Sequence, residues 1–156
     1  MDRWIDGGQK TLKEYSQRKN LNRGYMKLEV WHKAIELYKL VWRIVKEAKL
    51  DFKLRSQIAD AAQSVSANIA EGYSRRSVSE YMQHLYVSLG SLSETLSRVI
   101  ALLEAGQISD GQFEEVDELN YEVENKLWNL IKSLEHKKAD GTWINKVSED
   151  IEEYKP

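Results

Sequence analysis

The chain has 156 residues, 42% of them hydrophobic and 31% charged, which is typical of one domain with a buried core. It has no cysteine, which excludes disulfides, thiol catalysis and cysteine-bound zinc, and its one proline is the last residue. The net charge of −2 is distributed unevenly. Residues 1–76 carry 16 Lys and Arg against 9 Asp and Glu, whereas residues 77–156 carry 7 Lys and Arg against 16 Asp and Glu. The basic half therefore either attracts acidic helices of the same protein or binds an anionic partner.

The first predicted helix covers about residues 28–48 and has a wide apolar surface. One apolar stripe consists of Trp31, Ile35, Tyr38, Trp42 and Val45, and a second stripe beside it consists of Val30, Leu37, Val41, Ile44 and Ala48. Together they cover roughly half of the circumference, more than the ~100° that one buried face requires. We therefore expect this helix to contact more than the other helices of its own bundle.

The second predicted helix, about residues 52–71, is built largely of small side chains. Asp51 is its expected N-cap, and Gly72 is the expected residue after its end, with a positive φ. Small residues flank its core stripe of Leu54, Ile58, Ala62, Val65 and Ile69. They predict close packing on more than one side and hence self-association, unless Ala and Ser only supply helix propensity on a solvated surface.

The third predicted helix, about residues 77–105, starts with a capping box formed by Ser77 and Glu80. Two heptad stripes predict the seam of a bundle, and they consist of Val78, Leu85, Leu92 and Val99 and, beside them, Met82, Leu89, Leu96 and Leu103. Gly90 in mid-helix costs about 1 kcal/mol relative to Ala, which indicates that another backbone comes close there.

The fourth predicted helix, about residues 109–137, begins at a second capping box, Ser109 with Gln112, after Gly106 has ended the third. Four amphipathic helices with three short connections predict an all-α, up-down-up-down antiparallel four-helix bundle over residues 27–138. Residues 1–26 form a basic polar extension and residues 139–156 an acidic one.

Motifs for catalysis, metals and cofactors do not occur in the chain. None of the three histidines (His32, His84 and His136) has a Glu three residues before it, as a di-iron bundle requires. The sequence has neither a Gly-rich phosphate loop nor a His-Glu-x-x-His zinc motif. No apolar run is long enough for a membrane span, and the N-terminus lacks the apolar stretch of a signal peptide. We therefore predict a cytoplasmic protein that is not an enzyme and has no metal, cofactor or membrane partner.

Two groups of residues are candidates for binding instead. The candidates for packing or oligomer contacts are small or polar residues of the second and third helices: Ser64, Asn68, Glu71, Gly72, Val87, Gly90, Ser91 and Glu94. The candidates for phosphate binding are Lys39, Arg43, Lys46, Arg75 and Arg76, for which a solvated face is the alternative. For Glu71 three roles are open: a local pair with Arg75 or Arg76, a polar contact that fixes packing, and, least favoured, catalysis.

Three stretches carry a resemblance to a known family: "KLEVWHKAIELYKLV" (27–41), "LRSQIADAAQSVSANIAEGYSRRS" (54–77) and "EYMQHLYVSLGSLSE" (80–94). They resemble the small four-helix-bundle proteins encoded in intervening sequences of bacterial large-subunit ribosomal RNA genes, and "LWNLIKSLEHK" (127–137) fits as well. The run Asn68-Ile69-Ala70-Glu71-Gly72 is its most specific part.

The resemblance implies a homopentameric ring without enzymatic activity. It also implies a relation to the accessory variability protein of diversity-generating retroelements, which has the same fold and binds a reverse transcriptase and nucleic acid through a basic surface. Because the pI is near 6.0 and the second half is acidic, any such surface must be local.

From the residues and the resemblance together, we predict a non-enzymatic oligomeric scaffold that binds nucleic acid (RNA or DNA), a reverse transcriptase, or both. The first alternative is a protein-only interaction module without nucleic-acid binding. The second is an enzyme with a site between subunits, for which Asn68, Glu71 and Tyr86 are the first candidates.

Overall fold

Residues 24–142 are described by the computed structural model of the chain. They form a short 3-10 helix (Gly24–Lys27) and then four α-helices, α1 (Glu29–Glu47), α2 (Phe52–Tyr73), α3 (Val78–Glu104) and α4 (Asp110–Ala139). This part of the chain has no β-strand, so the predicted all-α class with four helices is confirmed. None of its helices combines the length and the apolar character that crossing a bilayer requires. Most of the two predicted extensions lies outside the described residues.

The four helices form an antiparallel bundle in which α1 and α3 are diagonal partners. Each of these two helices packs against both α2 and α4. The cross-helix contacts give the direction: Lys126 bonds to Glu29 at 2.9 Å, and Glu115, earlier in α4, bonds to Arg43, later in α1, at 3.0 Å. A surface on α1 and a surface on α3 therefore lie on opposite sides of the bundle.

The starts of α2, α3 and α4 are capped as the sequence predicts. In each case a side-chain oxygen of the capping residue accepts a backbone N–H of the first turn, at 3.1–3.2 Å. In α3 and α4 the third helical residue also bonds back to the N–H of the capping residue. These contacts satisfy donors that have no partner within the helix. The pairs are Asp51 with Leu54, Ser77 with Glu80, and Ser109 with Gln112.

Two glycines at helix ends have different roles. Gly106 follows α3 with a φ of 71°, and the N–H of Gln107 bonds to the carbonyl of Leu102 at 2.9 Å, which is the expected glycine-ended helix. The prediction for Gly72 is wrong, because α2 continues to Tyr73 and only Gly106 and Gly141 have a positive φ among the described glycines. Gly72 is instead buried within the last turn of α2.

Gly72 is required by the close approach of α3. A Cβ atom at this position would lie 2.7 Å from the Cβ of His84 and 3.1 Å from the backbone oxygen of Tyr81. Both distances are shorter than the ~3.5–4.0 Å at which carbon atoms pack best. The glycine therefore sets how closely α2 and α3 can pack.

The buried seam of α3 differs from the predicted one in its second stripe. The stripe that starts at Val78 is buried as predicted, but the stripe that starts at Met82 is only partly buried. Its place in the core is taken by Tyr81, Ser88, Thr95 and Leu102. Ser88 and Thr95 can be buried because their hydroxyls donate to the carbonyl oxygens of Val65 (3.0 Å) and Ser91 (2.7 Å).

The bundle covers only part of the wide apolar surface of α1. Val30, Leu37, Val41 and Ile44 from the second predicted stripe are buried. In the other stripe Trp31, Ile35 and Tyr38 are half-buried, and Trp42 remains 41% exposed. The C-terminal half of α1 therefore presents an aromatic side chain to the outside.

Candidate assembly and nucleic-acid interfaces

The small polar residues of α2 contact α3 of the same chain. The Nδ2 of Asn68 donates to the carbonyl oxygen (2.8 Å) and the hydroxyl (2.9 Å) of Ser64. The hydroxyl of Ser91 donates to that of Ser64 at 2.9 Å, and the Nδ1 of His84 lies 3.3 Å from the Oδ1 of Asn68. We call Ser64, Asn68, His84 and Ser91 the α2–α3 polar cluster. Ser64, Asn68 and Ser91, three of the predicted contact residues, are thus engaged within one chain.

Glu71 lies at the edge of this cluster and is exposed. Its Oε1 accepts a hydrogen bond from Arg75, one turn later, and its Oε2 is 3.9 Å from the Nδ1 of His84. Of the three roles considered for Glu71, the local pair is present, and the longer contact with His84 of α3 is a weaker instance of the packing contact. The pair is exposed on both sides, so it is worth less than about 1 kcal/mol.

The remaining predicted contact residues lie on the outer side of α3. Glu94 pairs with Arg98 at 3.1 Å. Val87 is 51% exposed, and no atom lies within 4 Å of the position that a Cβ on Gly90 would take. Within residues 24–142, the backbone approach expected at Gly90 does not occur. Val87 and Gly90, which we call the outer α3 surface, are therefore open to a second molecule.

The charges of α1 that face α4 are used between the two helices. The ammonium of Lys126 bonds to Glu29 and holds the pKa of that carboxyl below its usual value. The carboxylates of Glu36 and Glu122 lie 3.2 and 3.5 Å from the ammonium of Lys33. Both raise the pKa of Lys33, and Glu36 has the larger effect. The other three cations of α1, Lys39, Arg43 and Lys46, lie on its outward side.

That outward side carries the predicted basic residues together with Trp42. Lys39, Trp42, Arg43 and Lys46 share one side of α1, at i, i+3, i+4 and i+7, and line one shallow depression. We call these four residues the α1 basic face. Arg43 bonds to Glu115 of α4 at 3.0 Å, whereas the ammonium of Lys46 has no ion pair with any described residue. The face thus combines cations with an exposed aromatic ring.

The structure does not bring Arg75 and Arg76 to this face. They follow α2, whose Tyr73 lies near Tyr25 (ring centroids 6.5 Å apart), which precedes α1. They therefore lie near the start of α1, whereas Lys46 is near its end, more than ~20 Å away along a helix that rises 1.5 Å per residue. Each chain thus has two separate basic regions.

The residues considered for an enzyme site do not converge. Tyr86 points to the α4 side of α3, where its ring meets Trp128 edge-on at 6.1 Å and its hydroxyl donates to Glu135 at 3.4 Å. Asn68 and Glu71 lie on the α2 side. Within the described range, no three His, Cys, Asp or Glu side chains are grouped so that they could hold a metal ion.

Large apolar side chains are exposed along α3 and α4, and the sequence reasoning missed this surface. Tyr86, Ile100, Tyr121 and Trp128 are 45%, 40%, 65% and 40% exposed. Tyr86 contacts Trp128, and the helical repeat places Ile100 on the side of Tyr86 and Tyr121 on the side of Trp128. We call these four residues the α3–α4 apolar face. The sequence did contain a signal for this surface. Tyr121 and Trp128 are seven residues apart, so they share one side of α4, and each follows a residue of the buried stripe of that helix.

Comparison with known proteins agrees with this architecture. The family model of the 23S rRNA-intervening sequence protein matches residues 26–129, about two-thirds of the chain. A similar solved structure is the crystal structure of a protein of unknown function from the S23 ribosomal protein family of Bacteroides thetaiotaomicron VPI-5482. It is 23% identical, with a TM-score of 0.61 over 66% of this chain and 98% of that chain, and it supports the fold alone. No curated protein matches the chain significantly.

Proposed function

The chain belongs to the family of 23S rRNA-intervening sequence proteins, and from this premise we propose that it is a non-enzymatic, ring-forming scaffold that binds nucleic acid. The proposal includes a ring of five subunits and an accessory role beside a reverse transcriptase, both of which rest on the resemblance to the accessory variability protein. One observation supports the other parts of the proposal, which are self-association and nucleic-acid binding. An exposed apolar face and an exposed basic face lie on different helices, so one molecule can use both together.

Self-association is assigned to α3 and α4. Exposed apolar side chains grouped on one face are typical of interaction sites, and the α3–α4 apolar face has four of them, of which Tyr86 and Trp128 are in contact. Gly90 follows Tyr86 by one helical turn, so the outer α3 surface adjoins this apolar face. The open position at Gly90 lets a neighbouring helix come close there.

Nucleic-acid binding is assigned to the α1 basic face. The ion pair between Arg43 of this face and Glu115 of α4 is 58% exposed on both sides. Such a pair contributes less than about 1 kcal/mol, so a phosphate can replace the carboxylate at little cost. In a ring, symmetry repeats the face and strengthens its field.

Sedimentation tests the assembly. We expect the wild-type protein to sediment as one oligomer, and Tyr121→Glu with Trp128→Glu to dissociate it, because charges would be buried between subunits. Phe52→Glu is the matched control: Phe52 is 75% exposed but belongs to neither surface, so this variant should remain assembled. A wild-type protein that sediments as a single chain at micromolar concentration would rule out the scaffold.

A binding titration against structured and single-stranded RNA tests the second half of the proposal. Affinity should decrease with salt, with a slope of about −0.7 for each phosphate contact on a single strand. Replacing Lys39, Arg43 and Lys46 together by Glu should abolish binding while the helical circular dichroism is retained. Binding that survives this change, or that does not depend on salt, contradicts the assignment.

A protein-only interaction module is the second candidate function. It is favoured by the ion pairs of Arg43 with Glu115 and of Arg75 with Glu71, because these cations are already matched within the chain. This function predicts no affinity for nucleic acid even at low salt, and a protein that co-purifies through the α3–α4 apolar face. The same titration therefore separates the two candidates.

A further inference from the structure

We propose that Trp42 is a stacking platform for an unpaired base, and that the ligand of the α1 basic face is therefore a single-stranded segment of nucleic acid. This inference rests on the proposed nucleic-acid binding and adds the class of ligand. Its basis is the position of one exposed indole ring among three cations. Lys39 precedes Trp42 by three residues, Arg43 follows it directly, and Lys46 follows it by one helical turn.

The exposure of Trp42 is not explained by the packing of the bundle. Trp31, three turns earlier on the same side of α1, is half-buried, and its ring meets Tyr25 edge-on at 5.4 Å. Trp42 is 41% exposed, and among residues 24–142 its ring meets no other aromatic ring. Its ring is therefore open to a flat ligand from outside.

The charges around the ring fit a phosphate backbone on either side of a stacked base. Glu36, which lines the same depression, is bonded to Lys33, and Glu115 is bonded to Arg43. These two carboxylates are thus already matched by a cation, and Lys46 adds a positive charge without a described counter-ion. Cations that follow a backbone, with an aromatic ring for the bases, are the recurring features of single-strand binding sites.

Stacking also selects against a duplex. A base within a double helix has both of its faces covered by neighbouring bases, so it can reach Trp42 only after unstacking. Phosphates are present in both forms, so the three cations bind either one. The indole ring therefore supplies the preference for unpaired strands, and the cations supply the affinity that depends on salt.

The experiment compares Trp42→Leu with the wild-type protein on a labelled 12-nucleotide single strand and on a duplex of the same length. Leu keeps an apolar side chain on the helix, but it is shorter and has no π-face. Because one stacked base contributes about 1–3 kcal/mol, single-strand affinity should decrease about 5- to 150-fold, with little change on the duplex. Trp42→Phe should restore part of the loss. The salt dependence should be unchanged in both variants and should decrease in Lys46→Ala, which removes a charge.

The outcomes separate this inference from the proposal beneath it. If the wild-type protein binds neither strand nor duplex at low salt, nucleic-acid binding itself is refuted, and the inference with it. If the wild-type protein binds but Trp42→Leu loses nothing, or loses equally on strand and duplex, only the stacking platform is refuted. A variant that changes the sedimentation coefficient would show that Trp42 is a subunit contact, which also overturns the inference. RNA and DNA strands of one sequence, run in parallel, show whether the 2′-hydroxyl contributes.

Discussion

Adding one methyl group should stabilise the chain at Gly90 but not at Gly72. Both glycines lie within helices, α2 and α3, where Gly→Ala alone is favourable by up to about 1 kcal/mol. At Gly90 the new Cβ meets nothing within 4 Å, so this gain should be seen in full. At Gly72 the new Cβ would lie 2.7 Å from the Cβ of His84.

The loss of stability expected for Gly72→Ala depends on which atoms the new Cβ would contact. The Cβ of His84 is the root of a side chain and the oxygen of Tyr81, at 3.1 Å, is backbone, so neither can rotate away. The helices must separate instead, and overpacking of this kind costs about 1–3 kcal/mol. Since the propensity gain is common to both variants, Gly72→Ala should be about 1–3 kcal/mol less stable than Gly90→Ala.

Urea unfolding followed by circular dichroism measures the difference between the two variants. Both changes are made in the Tyr121→Glu, Trp128→Glu variant, which should be dissociated, so that the subunit contact proposed at Gly90 does not enter. Gly90→Ala should have the higher midpoint and Gly72→Ala the lower one, with an unchanged denaturant dependence. If Gly72→Ala is as stable as Gly90→Ala, the close approach of α2 and α3 is refuted.

Three further changes test other parts of the structure. Asp51→Ala removes the acceptor for the N–H of Leu54 and should lower the free energy of unfolding by about 1 kcal/mol in the same assay; no loss would contradict the cap. Glu71→Gln should cost less than about 1 kcal/mol and leave the sedimentation coefficient unchanged, because the pair with Arg75 is local and exposed; dissociation would instead reveal a subunit contact. Burial raises the pKa of Tyr81 above its ordinary value of 10.0, so the unfolded chain releases this proton first. The free energy of unfolding should therefore hold up to about pH 10 and decrease above it, and Tyr81→Phe should reduce that decrease; an identical alkaline profile would contradict this reasoning.

The helices were predictable because local signals agree with one another. The capping box of Ser77 with Glu80 and the glycine at Gly106 each act within one turn, so neither depends on the rest of the fold. The prediction for Gly72 was wrong because glycine has two roles: it can end a helix, and it can let another helix pack closely. Only the position of α3 distinguishes these two roles. Ser88 was missed in the core because its burial depends on an acceptor, the carbonyl of Val65, that belongs to another helix.

The candidate sites were less predictable than the fold. Lys39, Arg43 and Lys46 were grouped correctly by helical spacing, but Arg75 and Arg76 belong to the other end of the bundle. Their distance depends on how the helices are arranged in space, which spacing along the chain does not contain. An apolar stripe is ambiguous for the same reason. Its spacing does not show whether another helix of the same chain buries it or whether it remains exposed.

The hydroxyl of Ser88 on the carbonyl of Val65 and the close approach at Gly72 fit only one relative alignment of α2 and α3. A slide by one turn, ~5.4 Å, would break both contacts at once and leave a buried hydroxyl without an acceptor. The two helices should therefore move as a single stiff unit. A load applied to α3 by a neighbouring molecule would be transferred to α2 without slippage.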